Sequence, residues 1–204
     1  MCVQGQVPPS PVAPPEFKGI PPRATPADYQ FQAQAGAVTI AAEFTGHALP
    51  TAEGPLTSED YVAVEVALFG PSDAKLRISA ENFSLRVNGK KAPLSSQPYG
   101  LVLSSLKDPE WEAPETAQKS KTSLNSGGQG TGDSSGPPAP VKIPVPVQRA
   151  MALRIQKAVL PEGDRALPQA GLIFFNYRNK TKNLQSIELI YDGPAGKAVL
   201  ALHQ

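Results

Sequence analysis

Two stretches of the chain alternate between apolar and polar positions with a period of two. In 37–45, apolar Val38, Ile40, Ala42 and Phe44 alternate with more polar positions, and in 61–69 the apolar positions are Val62, Val64, Val66 and Leu68. Successive side chains of a strand point to opposite faces, so this alternation predicts half-buried antiparallel strands. The intervening positions of the second stretch include Tyr61, Glu65 and Phe69, which should share its other face.

Six shorter apolar segments complete a predicted set of eight strands. They span 76–80, 83–87, 99–103, 172–177, 187–191 and 198–202. Asn88-Gly89 directly follows the segment that ends at Val87, and this dipeptide favours a type I′ hairpin because both turn positions need positive φ. The sequence Asp192-Gly193-Pro194 predicts a tight turn between the last two strands.

Residues 148–160 fit both a helical and an alternating pattern. Met151, Ile155 and Ala158 have helical spacing, whereas Met151, Leu153 and Ile155 also alternate. Strong helix formers dominate the segment, which favours a helix that Pro161 and Gly163 end. Many short strands with one short helix are typical of a β-sandwich or barrel.

Proline, glycine and serine mark two segments that should not pack into a core. Residues 1–26 contain eight prolines, and we expect a disordered, Pro-rich tether there. Between 120 and 136, ten of the 17 residues are Gly or Ser, which predicts a disordered insertion at about 107–147. The insertion could be a domain linker, but neither flanking half looks large enough to fold alone. We therefore expect one domain over 27–204.

Four sequence motifs resemble those of bacterial extracytoplasmic immunoglobulin-like domains of unknown function. Residues 82–89 read NFSLRVNG, 160–163 read LPEG, 171–175 read GLIFF and 186–191 read SIELIY. The resemblance covers most of 61–204 outside the insertion. It implies a mainly β fold, an immunoglobulin-like antiparallel sandwich with one short helix, located in the periplasm or cell envelope. It implies no catalytic residues and no particular ligand.

The position of Cys2 allows two interpretations. It is the only cysteine and lies at the start of the Pro-rich segment, so no intrachain disulfide can form. Cys2 could be a free thiol on a tail, which fits a cytoplasmic protein that begins at Met1. It could instead be the lipid-anchor candidate of a mature bacterial lipoprotein, in which case membrane association occurs only through this anchor.

Charge and composition argue against nucleic acid as a partner. Lys and Arg number 19 against 18 Asp and Glu, a balance without the basic excess that phosphate backbones require. The Lys90-Lys91 pair is best explained as a solvated turn. No apolar run approaches the length of a membrane-spanning helix.

Residue types for catalysis or metal binding are sparse. His47 and His203 are the only histidines and lie far apart, so we expect no metal site and no cofactor. Glu59 and Asp60 are adjacent, and on a strand their side chains would point to opposite faces rather than converge. Trp111, at the edge of the insertion, is expected to plug one end of the core.

These observations favour a non-enzymatic, extracytoplasmic binding or structural module of a bacterial envelope, with a protein partner possible. The first alternative is an accessory subunit of an envelope complex, whose insertion orders on its partner. The second is an enzyme with an unrecognised site, because fold does not determine function.

Overall fold

The computed structural model describes residues 19–111 and 143–202. Its strands are β1 Phe31–Ala35, β2 Val38–Gly46, β3 Ala48–Leu49, β4 Leu56–Ser58, β5 Tyr61–Phe69, β6 Lys75–Ile78, β7 Phe83–Val87, β8 Leu94–Gln97, β9 Leu106–Lys107, β10 Gly163–Ala166, β11 Gln169–Asn176, β12 Ile187–Gly193 and β13 Gly196–Ala201. Helix α1 is a single turn, Tyr99–Val102, and helix α2 spans Val145–Ala158.

Eight strands form one antiparallel sheet in the order β1-β2-β5-β11-β8-β7-β12-β13. The short strand β8 joins its two halves, because it pairs with β11 through residues 96–97 and with β7 through residues 94–95. Apolar side chains of both halves enter one core, which means that the sheet folds back on itself. Val64 and Phe175 of the first half share this core with Leu85 and Leu189 of the second.

The two outermost strands, β1 and β13, approach one another at one end of the sheet. Gly36 follows β1 and Gly196 begins β13, and both have positive φ. A Cβ on Gly36 would lie 2.5 Å from the Ala195 carbonyl oxygen, and one on Gly196 would lie 3.5 Å from the Gly36 nitrogen. Glycine is therefore required at both positions for backbone conformation, and at Gly36 also for space.

A second apolar cluster lies on the outer face of β5 and β11. Helix α2 covers this face with Met151 and Ile155, which pack against residues that include Ala63 and Phe174. Because both faces are covered, β5 is buried along nearly its whole length. The alternation of the sequence indicated only one buried face.

The structure confirms the coarse fold prediction, a mainly β chain with antiparallel sheets and a short helix. Predicted strands 61–69 and 83–87 are β5 and β7, and the hairpin residues Asn88 and Gly89 have φ of 51° and 64°. The predicted helix 148–160 is α2, which begins three residues earlier at Val145 and ends at Ala158. Proline is favoured in a first helical turn, so Pro146 does not prevent this earlier start.

The strand predicted at 99–103 is wrong. Residues 99–102 form α1, which begins after the extended Pro98, and only Val102 of this helix is buried. Leu101 is 50% exposed. The nearby strand of the large sheet is β8, whose sequence Leu-Ser-Ser-Gln carries little apolar signal. A short apolar run does not distinguish a strand from a turn of helix.

The described ends of the two low-complexity segments belong to the fold. Ile20, within the predicted tether, forms a β-bridge with Ala170. Lys107 lies in β9, and Val147 lies in α2 and packs on the second apolar cluster. The remaining predictions of disorder, for 1–18 and 112–142, lie outside the described residues. Within the described ranges, neither helix has the length and apolar character needed to cross a bilayer.

Candidate ligand-binding cleft

A cleft of about 390 Å³ opens between helix α2 and two other segments of the chain. Its walls come from residues 19–21, residues 50–53 and the C-terminal half of α2, and its lining is mainly apolar. Glu65, in the middle of β5, is one of the lining residues. This volume and character match the concave, mostly apolar sites that proteins use for small ligands.

Segment 19–21 is held against the end of α2 and the edge of β11. The Gly19 N–H donates to the Lys157 carbonyl oxygen at 2.9 Å, which satisfies one of the helix's terminal acceptors. Gly19 has φ of 108°, and a Cβ there would collide with the Ala170 carbonyl oxygen. The bridge from Ile20 to Ala170 then directs Pro21 along the cleft.

Residues 51–54 form the opposite wall through a compact turn. The Thr51 hydroxyl donates to the Gly54 carbonyl oxygen at 2.6 Å, and the Gly54 N–H donates to the Thr51 carbonyl oxygen at 3.2 Å. Gly54 has φ of 110°, a conformation that L-residues rarely adopt. The turn is fastened to α2 by Lys157, whose Nζ lies 2.8 Å from Glu53 Oε1. This hydrogen bond to Lys157 lowers the pKa of Glu53 below its ordinary value.

Arg154 of α2 also holds the turn at 51–54. Its side chain is 11% exposed and that of its partner Asp108 is 13% exposed, and Nη1 lies 2.6 Å from Asp108 Oδ2. Nη2 donates to the Gly54 carbonyl oxygen at 3.0 Å. Within the described residues, Arg154 Nε is buried and has no hydrogen-bond acceptor. The charged groups of α2 that line the cleft are thus already paired with the protein's own acidic residues.

Glu65 is the buried charged group of the cleft. It is 8% exposed and lies directly opposite Glu43 in the β2–β5 ladder. Arg23 Nη2 lies 2.6 Å from Glu43 Oε2 and 3.4 Å from Glu65 Oε2. Burial raises the pKa of the Glu65 carboxyl, an effect that Arg23 opposes and Glu43 reinforces. Two carboxylates therefore share one guanidinium, and Glu43 has the shorter contact.

Arg23 is itself held by a turn at the edge of the sheet. Its guanidinium carbon lies 4.4 Å from the centre of the Tyr29 ring, and Nη1 donates to the Asp28 carbonyl oxygen at 2.7 Å. The Arg23 N–H donates to the Tyr29 hydroxyl at 3.1 Å. The first two contacts orient the guanidinium beside Glu43 and Glu65.

A second, more open cleft of about 530 Å³ contains His47, Glu59 and Asp60. Lys107 pairs with Glu59, and Arg178 Nε lies 3.2 Å from Asp60 Oδ1. The two carboxylates line one cleft because they lie in the bend before β5, so the expectation of opposite strand faces does not apply.

His47 links two separate parts of the chain at this second cleft. Nδ1 and Nε2 lie 3.0 Å from the carbonyl oxygens of Tyr61 and Asn179, respectively. Both acceptors are carbonyls, so a neutral ring, with one N–H, donates to only one of them at a time. In the described parts of the chain, no three His, Cys, Asp or Glu side chains form a group that could hold a metal ion.

The structure brings together few of the residues that the sequence singled out. Cys2 and His203 lie outside the described residues. Trp111 is half-buried and lines a small cavity with Met151, at the edge of the second apolar cluster. Lys90 and Lys91 are exposed in the turn after β7.

Sequence reasoning missed Glu65, Glu43 and Arg23 as a group. One signal was available, since Glu65 shares its strand face with Tyr61, Ala63, Ala67 and Phe69 and is the single charge among them. A lone charge on an apolar face indicates a buried or functional group. Its partners could not be found this way, because they depend on strand pairing.

Comparison of the chain with models of known protein families, with curated proteins and with solved structures finds no match. The function is therefore inferred from the geometry of the cleft.

Proposed function

We propose that this chain is a non-enzymatic binding module that holds a small, largely apolar ligand in the cleft between α2 and the sheet. The observation that supports this proposal is that an apolar cleft of about 390 Å³ has a buried glutamate, Glu65, in its lining. Burying a charged group is costly, and protein sites that do so are often functional. A binding role needs only this arrangement, with no catalytic group.

The immunoglobulin-like class of the fold and its place in a bacterial envelope are part of the same proposal. Support for both comes from the four sequence motifs given above. The folded-back antiparallel sheet agrees with a sandwich in outline. A lipid anchor at Cys2 would hold such a module at the membrane surface.

An uncharged fluorescent probe, N-phenyl-1-naphthylamine, tests the cleft directly. Its fluorescence rises on transfer to apolar surroundings, so we expect a saturable increase with the full chain. Ala52→Trp places a large side chain at the exposed wall of the cleft and should weaken probe binding at least tenfold. Ala92→Trp, an exposed position outside the cleft, is the matched control and should bind as the wild type does. Equal binding by all three proteins would contradict the proposal.

A further inference from the structure

We propose that the ligand of the cleft carries a positively charged ammonium group on an apolar body, and that Glu65 receives the ammonium. This inference deepens the proposed function and rests on it. It follows from the distribution of charge around the cleft.

Negative charge exceeds positive charge around Glu65. Two carboxylates, Glu43 and Glu65, have one guanidinium between them, and a single nitrogen of Arg23 contacts both. The 2.6 Å contact goes to Glu43, whereas the Glu65 contact is 3.4 Å, near the limit of a hydrogen bond. The more deeply buried carboxylate is therefore the less completely neutralised of the two.

The cationic side chains near the cleft already have protein partners. Lys157 binds Glu53, and Arg154 binds Asp108 and the Gly54 carbonyl oxygen. Arg23 is held by the Asp28 carbonyl oxygen and by the Tyr29 ring. Within the described residues, the 3.4 Å contact with Arg23 is the one ion pair of Glu65, so the glutamate that lines the cleft is left short of positive charge.

The apolar surroundings of Glu65 strengthen its attraction for a positive charge on a ligand. The side chain of Glu65 is 10% exposed, and the cleft walls are largely apolar. Coulombic attraction is stronger in such surroundings than in bulk water, and a hydrogen-bonded counterion offsets the cost of burying the carboxylate. An anionic ligand group would be repelled by Glu65 and Glu43 together. The volume of the cleft suits a free small molecule with a single apolar body.

Two isosteric probes test the inference with the full chain: 2-phenylethylamine, which is an ammonium at neutral pH, and the uncharged 2-phenylethanol. Isothermal titration calorimetry at pH 7 should show the amine binding at least tenfold more tightly than the alcohol. In Glu65→Gln, which removes the charge and keeps the shape, the two affinities should agree within about twofold. Glu188→Gln, outside the cleft and already paired with Arg86, should retain the preference for the amine.

The pH dependence distinguishes an ion pair from a packing effect. Affinity for the amine should rise as pH increases through the titration of Glu65, whereas affinity for the alcohol should not change. Glu65→Gln should remove the pH dependence. Thermal unfolding of each variant establishes that it is folded at the titration temperature.

The outcomes separate the two proposals. If the amine and the alcohol bind equally to the wild type, or if neither binds while N-phenyl-1-naphthylamine does, the cleft binds ligands but the ammonium inference is wrong. If the preference for the amine persists in Glu65→Gln, Glu65 is not the receiving group and the inference is also wrong. If none of the three probes binds, the proposed function itself fails.

Discussion

Glu43 and Glu65 face one another across the β2–β5 ladder, and the same nitrogen of Arg23 contacts both carboxylates. Like charges directly opposite one another in a sheet are destabilising. The guanidinium offsets this repulsion, and the cleft places one of the two carboxylates where a ligand could reach it. Stability and binding are therefore connected through Glu65.

Removing the shared cation should destabilise the fold. Arg23→Met keeps much of the aliphatic stem but leaves Glu43 and Glu65 without a counterion. Because this group of three charged side chains is only partly buried, we expect a loss of about 1–2 kcal/mol in the free energy of unfolding, measured by urea denaturation. Lys197→Met, at the exposed Lys197–Asp192 pair, is the control and should lose less than about 1 kcal/mol.

Adding Glu65→Gln to Arg23→Met should recover part of that loss. With Gln at position 65, the loss of the Arg23 guanidinium leaves one carboxylate without a counterion instead of two. The two substitutions should therefore be non-additive in a double-mutant cycle. Strict additivity would show that Arg23 does not stabilise the fold through Glu65.

The stability of the wild type relative to Glu65→Gln should fall as pH rises. Burial raises the pKa of Glu65 in the folded state above its ordinary value of 4.5, so the folded chain holds this proton more tightly than the unfolded chain does. The stabilisation is complete below 4.5 and is lost as pH rises through the folded-state pKa. Chemical denaturation at a series of pH values would measure the difference between the two proteins.

Glu53→Gln should show the opposite sign in the same experiment. Lys157 lowers the pKa of Glu53, so its contribution is present above 4.5 and is lost as pH falls through the depressed value. A common trend in both variants would indicate a general effect of net charge rather than these two sites.

Breaking the largely buried pair of Arg154 and Asp108 should cost more stability than breaking a surface ion pair. Arg154→Met leaves Asp108 without its cation and removes the bond to the Gly54 carbonyl oxygen. We expect a loss of roughly 3 kcal/mol, because a buried charge without a partner is strongly unfavourable. Arg149→Met, at an exposed position on the same helix, should change stability by less than about 0.5 kcal/mol.

At the hairpin after β7, Asn88 should tolerate glycine better than alanine. Its φ is 51°, and its side chain accepts from the Gln185 N–H at 2.8 Å and donates to the Asn183 carbonyl oxygen at 3.1 Å. Asn88→Gly loses these hydrogen bonds but keeps the backbone conformation. Asn88→Ala loses the hydrogen bonds and also disfavours the positive φ. It should therefore be less stable than Asn88→Gly by about 1 kcal/mol in thermal or urea unfolding. Equal stability of the two variants would show that the side-chain hydrogen bonds alone determine the preference for Asn at position 88.

Local pattern predicted the long elements well. The period-two alternation defined β5, and the dipeptide Asn88-Gly89 predicted a turn with positive φ at both residues. These features depend on neighbours in sequence, which is why the chain alone reveals them. The strands β3 and β9 are only two residues long, too short for any period to be recognised.

The candidate cleft could not be predicted in the same way. Arg23, Glu43 and Glu65 meet through strand pairing and a turn, and segment 19–21 reaches the cleft through a single bridge at Ile20. Its proline-rich composition predicted a tether instead. The contact of Arg154 with Gly54 spans 100 positions. Such long-range contacts are set by the packing of elements, on which local pattern gives no information.

The seam between Gly36 and Gly196 has a consequence for self-association. A free sheet edge presents unpaired N–H and C=O groups to other copies of the chain and so favours aggregation. Because the seam brings β1 and β13 together at one end, each edge shields the other from an incoming strand there. A side chain at Gly36 would hold the edges apart, and this end of the sheet would then become a template for further copies.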